Sequence, residues 1–276
     1  MKKIAIIMLH VCVVLLLTVL TQVGGLVYLL YLITRMWVLS RIGEGLKRKI
    51  AHVAYFLVLY STVCWIIVPR VAAACGRVPL CCFENNHLRP LNLITCMMNR
   101  HYVKPELRQC LYAVAIEMNK DFPETTIQYL DCNFPFIDGF PLLPHLSHDD
   151  GCKADIAFCY KQKDGSHSNE SPGWIGYGVC EKALSYEKNL VLECEANGYW
   201  QYGLTDYLSW GDEHSLRMDL ERTKHLTELF ANQPPVGRIF LEPHLVSRMN
   251  LDGVTKIRFH GCNAVRHDDH LHVQLK

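Results

Sequence analysis

The last ten residues carry the densest set of chemically useful side chains in the chain. Three histidines and two aspartates fall within six positions: His267, Asp268, Asp269, His270 and His272. Val273 and Leu275 favour an extended strand here, and residues two apart on a strand project from the same side. The pattern therefore predicts that His270 and His272 lie side by side. Two adjacent imidazoles can bind a transition metal, or one can bind it while the other transfers protons.

A second segment, Leu143 to Phe158, offers complementary ligands. Asp149-Asp150-Gly151 is typical of a turn, and the residues from Ala154 onward read as a strand. His148 precedes the turn and Asp155 begins the returning strand, so the reversal can bring the two side chains together. With one imidazole from the C-terminal strand they make a three-ligand zinc set that leaves a position open for water. Turn-capping aspartates and a solvated histidine tail are the plainer interpretation of the same residues.

At these residues the sequence resembles a family of zinc peptidases. His-x6-Asp followed by a C-terminal His-x-His is similar to the pattern of the group that contains D-Ala-D-Ala carboxypeptidases and dipeptidases, murein endopeptidases and the hedgehog signalling domain. The likeness is greatest to the penicillin-insensitive murein endopeptidases, in the motif 267–273 and in Val236 to Phe240, and it covers residues 122–276.

The resemblance implies Zn²⁺ as the cofactor and His148, Asp155 and His272 as its ligands. It implies that His270 and His267 lie beside these ligands or transfer protons. Asp268 or Asp269 would then fix the tautomer of an imidazole.

Two features depart from the family pattern. Members with a dipeptidase-like site have a glutamate three residues before the last ligand, where this chain has Asp269. The general base is therefore open, with His270 the first choice and His267 the second. In addition, no basic residue stands just upstream of His148, where carboxypeptidases of the family hold a substrate carboxylate.

The resemblance implies a zinc peptidase that hydrolyses D-Ala–diaminopimelate cross-links of peptidoglycan, and the first hypothesis adds to it the membrane anchor predicted below. A zinc-containing binding or signalling module of the same fold, without catalysis, is the main alternative. A structural membrane protein with a solvated histidine tail is the third hypothesis.

Two uncharged apolar runs near the N-terminus predict a membrane anchor over residues 1–70, with spans at 4–34 and 50–69. The first run is too long for one upright helix, so Gly24-Gly25 can mark a break. Basic residues between the runs favour a cytoplasmic loop, which places the rest of the chain in the periplasm of an inner membrane. Lys2 and Lys3 argue the opposite for the N-terminus, and a tight hairpin at the glycines would reconcile both. A cleaved signal peptide is a weaker interpretation.

Composition limits the other partners and the compartment. The formal net charge is +1 over 276 residues, which gives no reason to expect a nucleic-acid partner. Eleven cysteines follow the apolar runs without the repeated C-x2-C pairs of a structural zinc site. In an oxidising compartment such cysteines form disulfides, and their odd number leaves at least one outside an internal pair.

The remaining pattern predicts an α+β fold, with a mainly antiparallel sheet and helices on one side. Residues 71–121 read as a Cys-rich connector and a helix from Lys104 to Lys120, and residues 122–276 as the zinc peptidase domain, similar to the hedgehog and D,D-peptidase fold. Aromatic residues are frequent between Trp174 and Tyr207, which suits either packing or a substrate groove.

Overall fold

The structure is a computed structural model that describes residues 1–40, 42–202, 211–212 and 216–276. Arg41 of the basic loop and Tyr207 of the aromatic segment lie outside the described residues. The N-terminal part forms three helices: α1 (Lys2–Thr21), α2 (Gly24–Val38) and α3 (Leu46–Ala74). Of these, α1 and α3 are long and apolar enough to cross a membrane, and α2 is a shorter apolar helix.

The apolar run predicted as a span at 4–34 is divided into two helices, and the division lies beside Gly24-Gly25, one of the arrangements that the sequence left open. The chain reverses at Gln22, which has a positive φ of 62°, and α2 packs back against α1. Glycine is required where α2 packs against α1. A Cβ on Gly25 would lie 2.0 Å from Thr18 Oγ1 and 2.6 Å from the Val14 carbonyl oxygen. The close approach of two backbones therefore decides where this apolar run breaks.

Proline shapes the third helix near its C-terminal end. Pro69 has no N–H to donate, and its ring displaces the carbonyl four residues earlier. The backbone accordingly passes through a single π turn at Val63–Ile67 before α-helix resumes at Val68–Ala74. The whole helix has 29 residues. At 1.5 Å per residue it is about 43 Å long, which exceeds the hydrocarbon thickness of about 30 Å.

The rest of the described chain is a mixed α/β assembly. Its further helices are α4 (Leu93–Met97), α5 (Pro105–Asp121), α6 (Leu190–Ala196), α7 (Leu220–Asn232) and α8 (Pro243–Arg248). Its strands are β1 (Val78–Pro79), β2 (Leu88–Pro90), β3 (Tyr102–Val103), β4 (Ile127–Tyr129), β5 (Lys153–Ala157), β6 (Tyr160–Lys161), β7 (His167–Ser168), β8 (Arg217–Met218), β9 (Val236–Phe240), β10 (Ile257–Arg258) and β11 (His270–Leu275).

The main sheet has six strands in the order β10-β9-β11-β5-β4-β2. The three central pairings, β9 with β11, β11 with β5 and β5 with β4, are antiparallel, and the two outer pairings are parallel. Strands β1 and β3 form a two-stranded sheet, and β7, β6 and β8 form a three-stranded one. The sheet is thus antiparallel where the predicted ligands lie.

The two faces of the main sheet have different chemistry because side chains alternate along each strand. Leu271 and Val273 of β11 and Ile156 of β5 join the hydrophobic core, to which α5 and α7 contribute their apolar faces. The residues between them, including Asp155 and His272, point to the opposite face. This alternation collects the polar side chains on the face away from the core.

Residues 71–121, predicted as a connector followed by a helix, pack into the same core as residues 122–276. The apolar positions of α5 are all buried there: Leu107, Cys110, Leu111, Val114, Ala115 and Met118. Strand β2 completes one edge of the main sheet. Two disulfides, Cys82–Cys96 and Cys194–Cys262, agree with the predicted oxidising compartment.

Candidate metal centre

The sheet register brings two of the three predicted ligands together. Asp155 of β5 lies directly opposite His272 of β11 in the antiparallel ladder. Their side chains share the face away from the core, and His272 Nδ1 is 2.9 Å from Asp155 Oδ1. The pairing of β5 with β11 therefore brings together two residues that are 117 positions apart in the sequence.

His148 completes the group from the loop before β5. Its Nδ1–H donates to the Cys132 carbonyl at 2.7 Å, so Nε2 carries the free lone pair. That Nε2 atom lies 3.2 Å from Asp155 Oδ1 and 3.1 Å from His272 Nδ1. Ligand atoms around tetrahedral zinc lie about 3.3 Å apart when the bonds are 2.0–2.1 Å. The donors and their spacing thus fit a zinc ion.

The second carboxylate oxygen of Asp155 has different neighbours. The Tyr177 hydroxyl donates to Asp155 Oδ2 at 2.9 Å, and the Asp131 backbone N–H donates to the Tyr177 oxygen at 3.1 Å. His145 Nδ1 lies 3.3 Å from the same Oδ2. Because these contacts hold one oxygen, Oδ1 is left to face His148 and His272.

His145, which the sequence patterns did not single out, is also buried in this group. Ligand atoms of His145, His148 and Asp155 all lie within 4.8 Å of one another, so these three could also hold a metal ion. His145 Nδ1 lies 3.3 Å from Asp131 Oδ2 as well and forms no hydrogen bond within the described residues. The tighter cluster at Asp155 Oδ1 favours His272 over His145 as the third ligand.

His270 is held beside the group by Asp269. The Asp269 carboxylate accepts from His270 Nδ1 at 2.5 Å and from the Gly178 backbone N–H at 2.6 Å. Both oxygens of Asp269 are therefore engaged, and the His270 Nε2 atom lies 3.5 Å from Asp155 Oδ1. Burial opposes the charged imidazole, but the carboxylates of Asp155 and Asp269 outweigh it and raise the pKa of His270 to about 9.

His267 is buried on the same side, with its ring centre 5.1 Å from that of His270 and 5.6 Å from that of His272. Burial, reinforced by these two imidazoles, holds the pKa of His267 well below its ordinary value. Two neighbouring histidines thus have pKa values shifted in opposite directions.

Asp268 is one of two aspartates predicted to fix the tautomer of an imidazole, but its carboxylate contacts an arginine instead. Its two carboxylate oxygens accept from the Arg266 guanidinium at 2.7 and 2.6 Å. Its backbone carbonyl accepts from the Glu181 N–H at 2.7 Å. Asp268 therefore anchors the segment that precedes β11, whereas Asp269 performs the predicted contact with an imidazole.

Glu242 anchors the same segment through the His267 backbone. The Glu242 N–H donates to the His267 carbonyl at 3.0 Å, and the His267 N–H donates to Glu242 Oε1 at 3.2 Å. Glu242 is 1% exposed, and burial, with the charge of Asp268, raises its carboxyl pKa from 4.5 to about 7.

A pH dependence of stability follows for Glu242. Between pH 4.5 and 7 the folded state retains a proton that the unfolded state has lost, so this stabilisation is full below pH 4.5 and is lost as the pH rises through 7. The shift corresponds to about 3 kcal/mol. We expect Glu242→Gln to abolish this decrease of stability with rising pH, because glutamine does not ionise. The measurement is the thermal midpoint of the detergent-solubilised full chain from pH 5 to 8. An identical decline in both proteins would contradict the assignment.

Two cavities adjoin the histidines, and the boundary between them includes His145 and His270, which line both. The first, here the histidine cavity, measures about 360 Å³ and is lined by His148, Asp155 and His272. The second, here the apolar cavity, measures about 250 Å³, and its lining includes Ile94, Met98, Leu130 and Ile175. The candidate metal centre therefore faces the histidine cavity, and the apolar cavity adjoins this space at His145 and His270.

No protein-family model matches the sequence, and no curated protein is significantly similar to it. The functional argument therefore depends on the geometry of the site.

Arg100 and Tyr177 are site residues that the sequence patterns missed. Arg100 lines the apolar cavity and donates to Asp131 Oδ2 at 3.0 Å and to the Leu143 carbonyl at 2.8 Å. It lies far from His148 in the sequence, so no local spacing signalled it. Tyr177 belongs to the aromatic segment, where composition alone could not separate packing from a site role.

Proposed function

We propose that the chain is a membrane-anchored zinc peptidase that hydrolyses peptidoglycan peptide bonds, with the D-Ala–diaminopimelate cross-link as substrate. The observation that carries this proposal is the convergence of His148, Asp155 and His272 within 3.2 Å of one another beside a cavity. Such a three-residue set with N and O donors is typical of catalytic rather than structural zinc.

His148, Asp155 and His272 would hold the zinc ion. When bound, zinc polarises the scissile carbonyl and lowers the pKa of a water molecule to about 7. The Cys132 carbonyl keeps His148 in the tautomer that presents Nε2. Tyr177 orients Asp155 so that one carboxylate oxygen faces the imidazoles.

The two remaining histidines are the candidates for proton transfer. His270, whose Nδ1 donates to the Asp269 carboxylate and whose Nε2 lies 3.5 Å from Asp155 Oδ1, is the first choice to take the proton of the attacking water and to return it to the leaving amine. His267 lines the same cavity and is the second choice for this proton transfer.

The anchor is proposed to cross the inner membrane as α1, α2 and α3, with the catalytic part in the periplasm. Lys2, Lys3 and Arg35 then lie at one end of the helices together with the basic residues 47–49. The turn between α1 and α2 lies at the other end, where Gln22 Oε1 accepts from the Phe136 N–H at 2.9 Å. The hairpin of α1 and α2 therefore places both groups of basic residues on the cytoplasmic side, and the conflict between them in the sequence is removed.

A cell-wall assay tests the proposal. We expect the purified full chain in detergent to release un-cross-linked peptides from peptidoglycan, to lose this activity with a chelator and to regain it with added Zn²⁺. Chromatography of the digested peptides measures the products. Bound zinc without hydrolysis would favour the non-catalytic module instead, and absence of both would sink the site assignment.

A further inference from the structure

Exposed apolar side chains cluster where the catalytic part meets the helices. Together they form what is here called the apolar patch, with exposed fractions of 37–65%: Trp65, Phe83, Leu93, Ile94, Met97 and Trp174. The rings of Trp65 and Phe83 are 6.3 Å apart. The Cys82–Cys96 disulfide ties the Phe83 segment to α4, and the Asn92 side-chain amide at the start of α4 donates to the Trp174 carbonyl at 3.2 Å. Contiguous exposed apolar groups of this kind mark a contact surface.

The apolar patch is continuous with the proposed membrane anchor. The Tyr60 hydroxyl of α3 donates to the Met97 carbonyl at 2.7 Å, so the end of α4 lies against the middle of α3. The Asn99 amide, two residues further on, lies 3.4 Å from the Thr21 carbonyl at the end of α1. α4 is therefore level with the end of α1, which in the proposed anchor lies at the outer boundary of the hydrocarbon.

The length of α3 agrees with this level. Residues 47–49 are basic and stay at the inner boundary, so a span of about 20 residues that begins at Ile50 reaches the outer boundary near Pro69, about one turn beyond Trp65. The last turns of α3 then run along the catalytic part, where Val68 and Ala72 pack with Tyr102. Tryptophan and phenylalanine at this level correspond to the aromatic belt of membrane proteins.

The apolar cavity lies directly behind the apolar patch. Ile94 belongs to both, and Met98 follows Met97 at the end of α4. The cavity also reaches His270, which adjoins the candidate metal centre. A route therefore leads from the bilayer-facing side of α4 to the histidines.

We propose that the apolar patch lies in the outer-leaflet interface, and that the apolar cavity takes peptides which are themselves held at the membrane by a lipid. The lipid surface is the chosen occupant because the apolar patch continues the surface of the spanning helices. The substrate part of this proposal rests on the proposed peptidase function, whereas the surface part rests only on the proposed membrane anchor.

Fluorescence quenching tests the surface. The full chain is placed in nanodiscs whose lipids carry bromine near the headgroup, with either Trp174 or Trp200 as the single tryptophan and phenylalanine at the others. Trp200 is the matched control, since it is 73% exposed but lies beside the separate cluster around Tyr202. Interfacial side chains insert about 5–10 Å, so we expect about half of the Trp174 signal to be lost and little of the Trp200 signal.

Charge substitution sharpens the same test. Met97→Glu should reduce the quenching of Trp174, whereas Ile116→Glu, at a comparably exposed helical position on α5, should not change it. Equal quenching of Trp174 and Trp200 would overturn the proposal. Absence of any quenching of Trp174 would also overturn the proposal. That result is expected if a protein or a second copy of this chain covers the apolar patch. These readings need no catalysis and can be made on His148→Ala.

Hydrolysis tests the substrate class. Anchoring raises the effective concentration, so a lipid-anchored peptide should have an apparent KM at least about tenfold below that of the same free peptide. Met97→Glu should diminish this preference and Ile116→Glu should keep it. Equal KM values would reject the lipid-held substrate while leaving the peptidase in place. Failure to cleave either peptide would reject the peptidase function, and the quenching result would still decide the surface.

Discussion

His148→Ala abolishes peptide hydrolysis in our expectation, with no detectable activity above that of the metal-free protein. The substitution removes the Nε2 donor that lies 3.2 Å from Asp155 Oδ1, and two donors do not hold zinc in a catalytic geometry. The measurement is the rate of release of peptides from peptidoglycan by the full chain. The folded state is checked separately by circular dichroism, because His148 is buried.

Two further variants separate the loss of a ligand from general damage. Tyr177→Phe removes only the hydroxyl that holds Asp155 Oδ2, and loss of such a supporting contact typically costs about 10–100-fold in metal affinity or activity. His225→Ala is the matched control, because His225 pairs with Asp121 on the helical side of the sheet. Full activity in His148→Ala would end the enzyme assignment.

Zinc is expected to stabilise the full chain strongly. A ligand that binds only the folded state adds about 4 kcal/mol to the free energy of unfolding when its free concentration is a thousand times Kd. The measurement is the thermal midpoint of the detergent-solubilised protein with Zn²⁺ and with a chelator. A solvated histidine tail, in contrast, predicts weak binding and no change of the midpoint.

The same measurement decides between the two possible ligand sets. His272→Ala should lose the zinc-dependent stabilisation, because His272 Nδ1 lies 2.9 Å from Asp155 Oδ1. His145→Ala should retain most of it, because His145 faces the other carboxylate oxygen, shared with Tyr177. The reverse result would assign the third ligand to His145 and correct the set proposed here.

The sequence by itself determined the features that depend on local periodicity. The alternation of β11 placed His270 and His272 on one side, and the 3.6-residue repeat of α5 placed its apolar residues in the core. The Asp-Asp-Gly turn positioned His148 and Asp155 to meet. These predictions succeeded because side-chain direction follows directly from backbone geometry.

The tertiary structure decided which distant residues meet. Asp155 opposes His272 only through the register of β5 and β11, and Tyr177 and His145 reach Asp155 from separate loops. Packing between segments remote in the chain also gives the two carboxylate oxygens of Asp155 different neighbours. The same kind of packing sets the height of α4 relative to the proposed membrane surface. Local patterns do not encode such contacts, because each depends on how all the intervening elements pack.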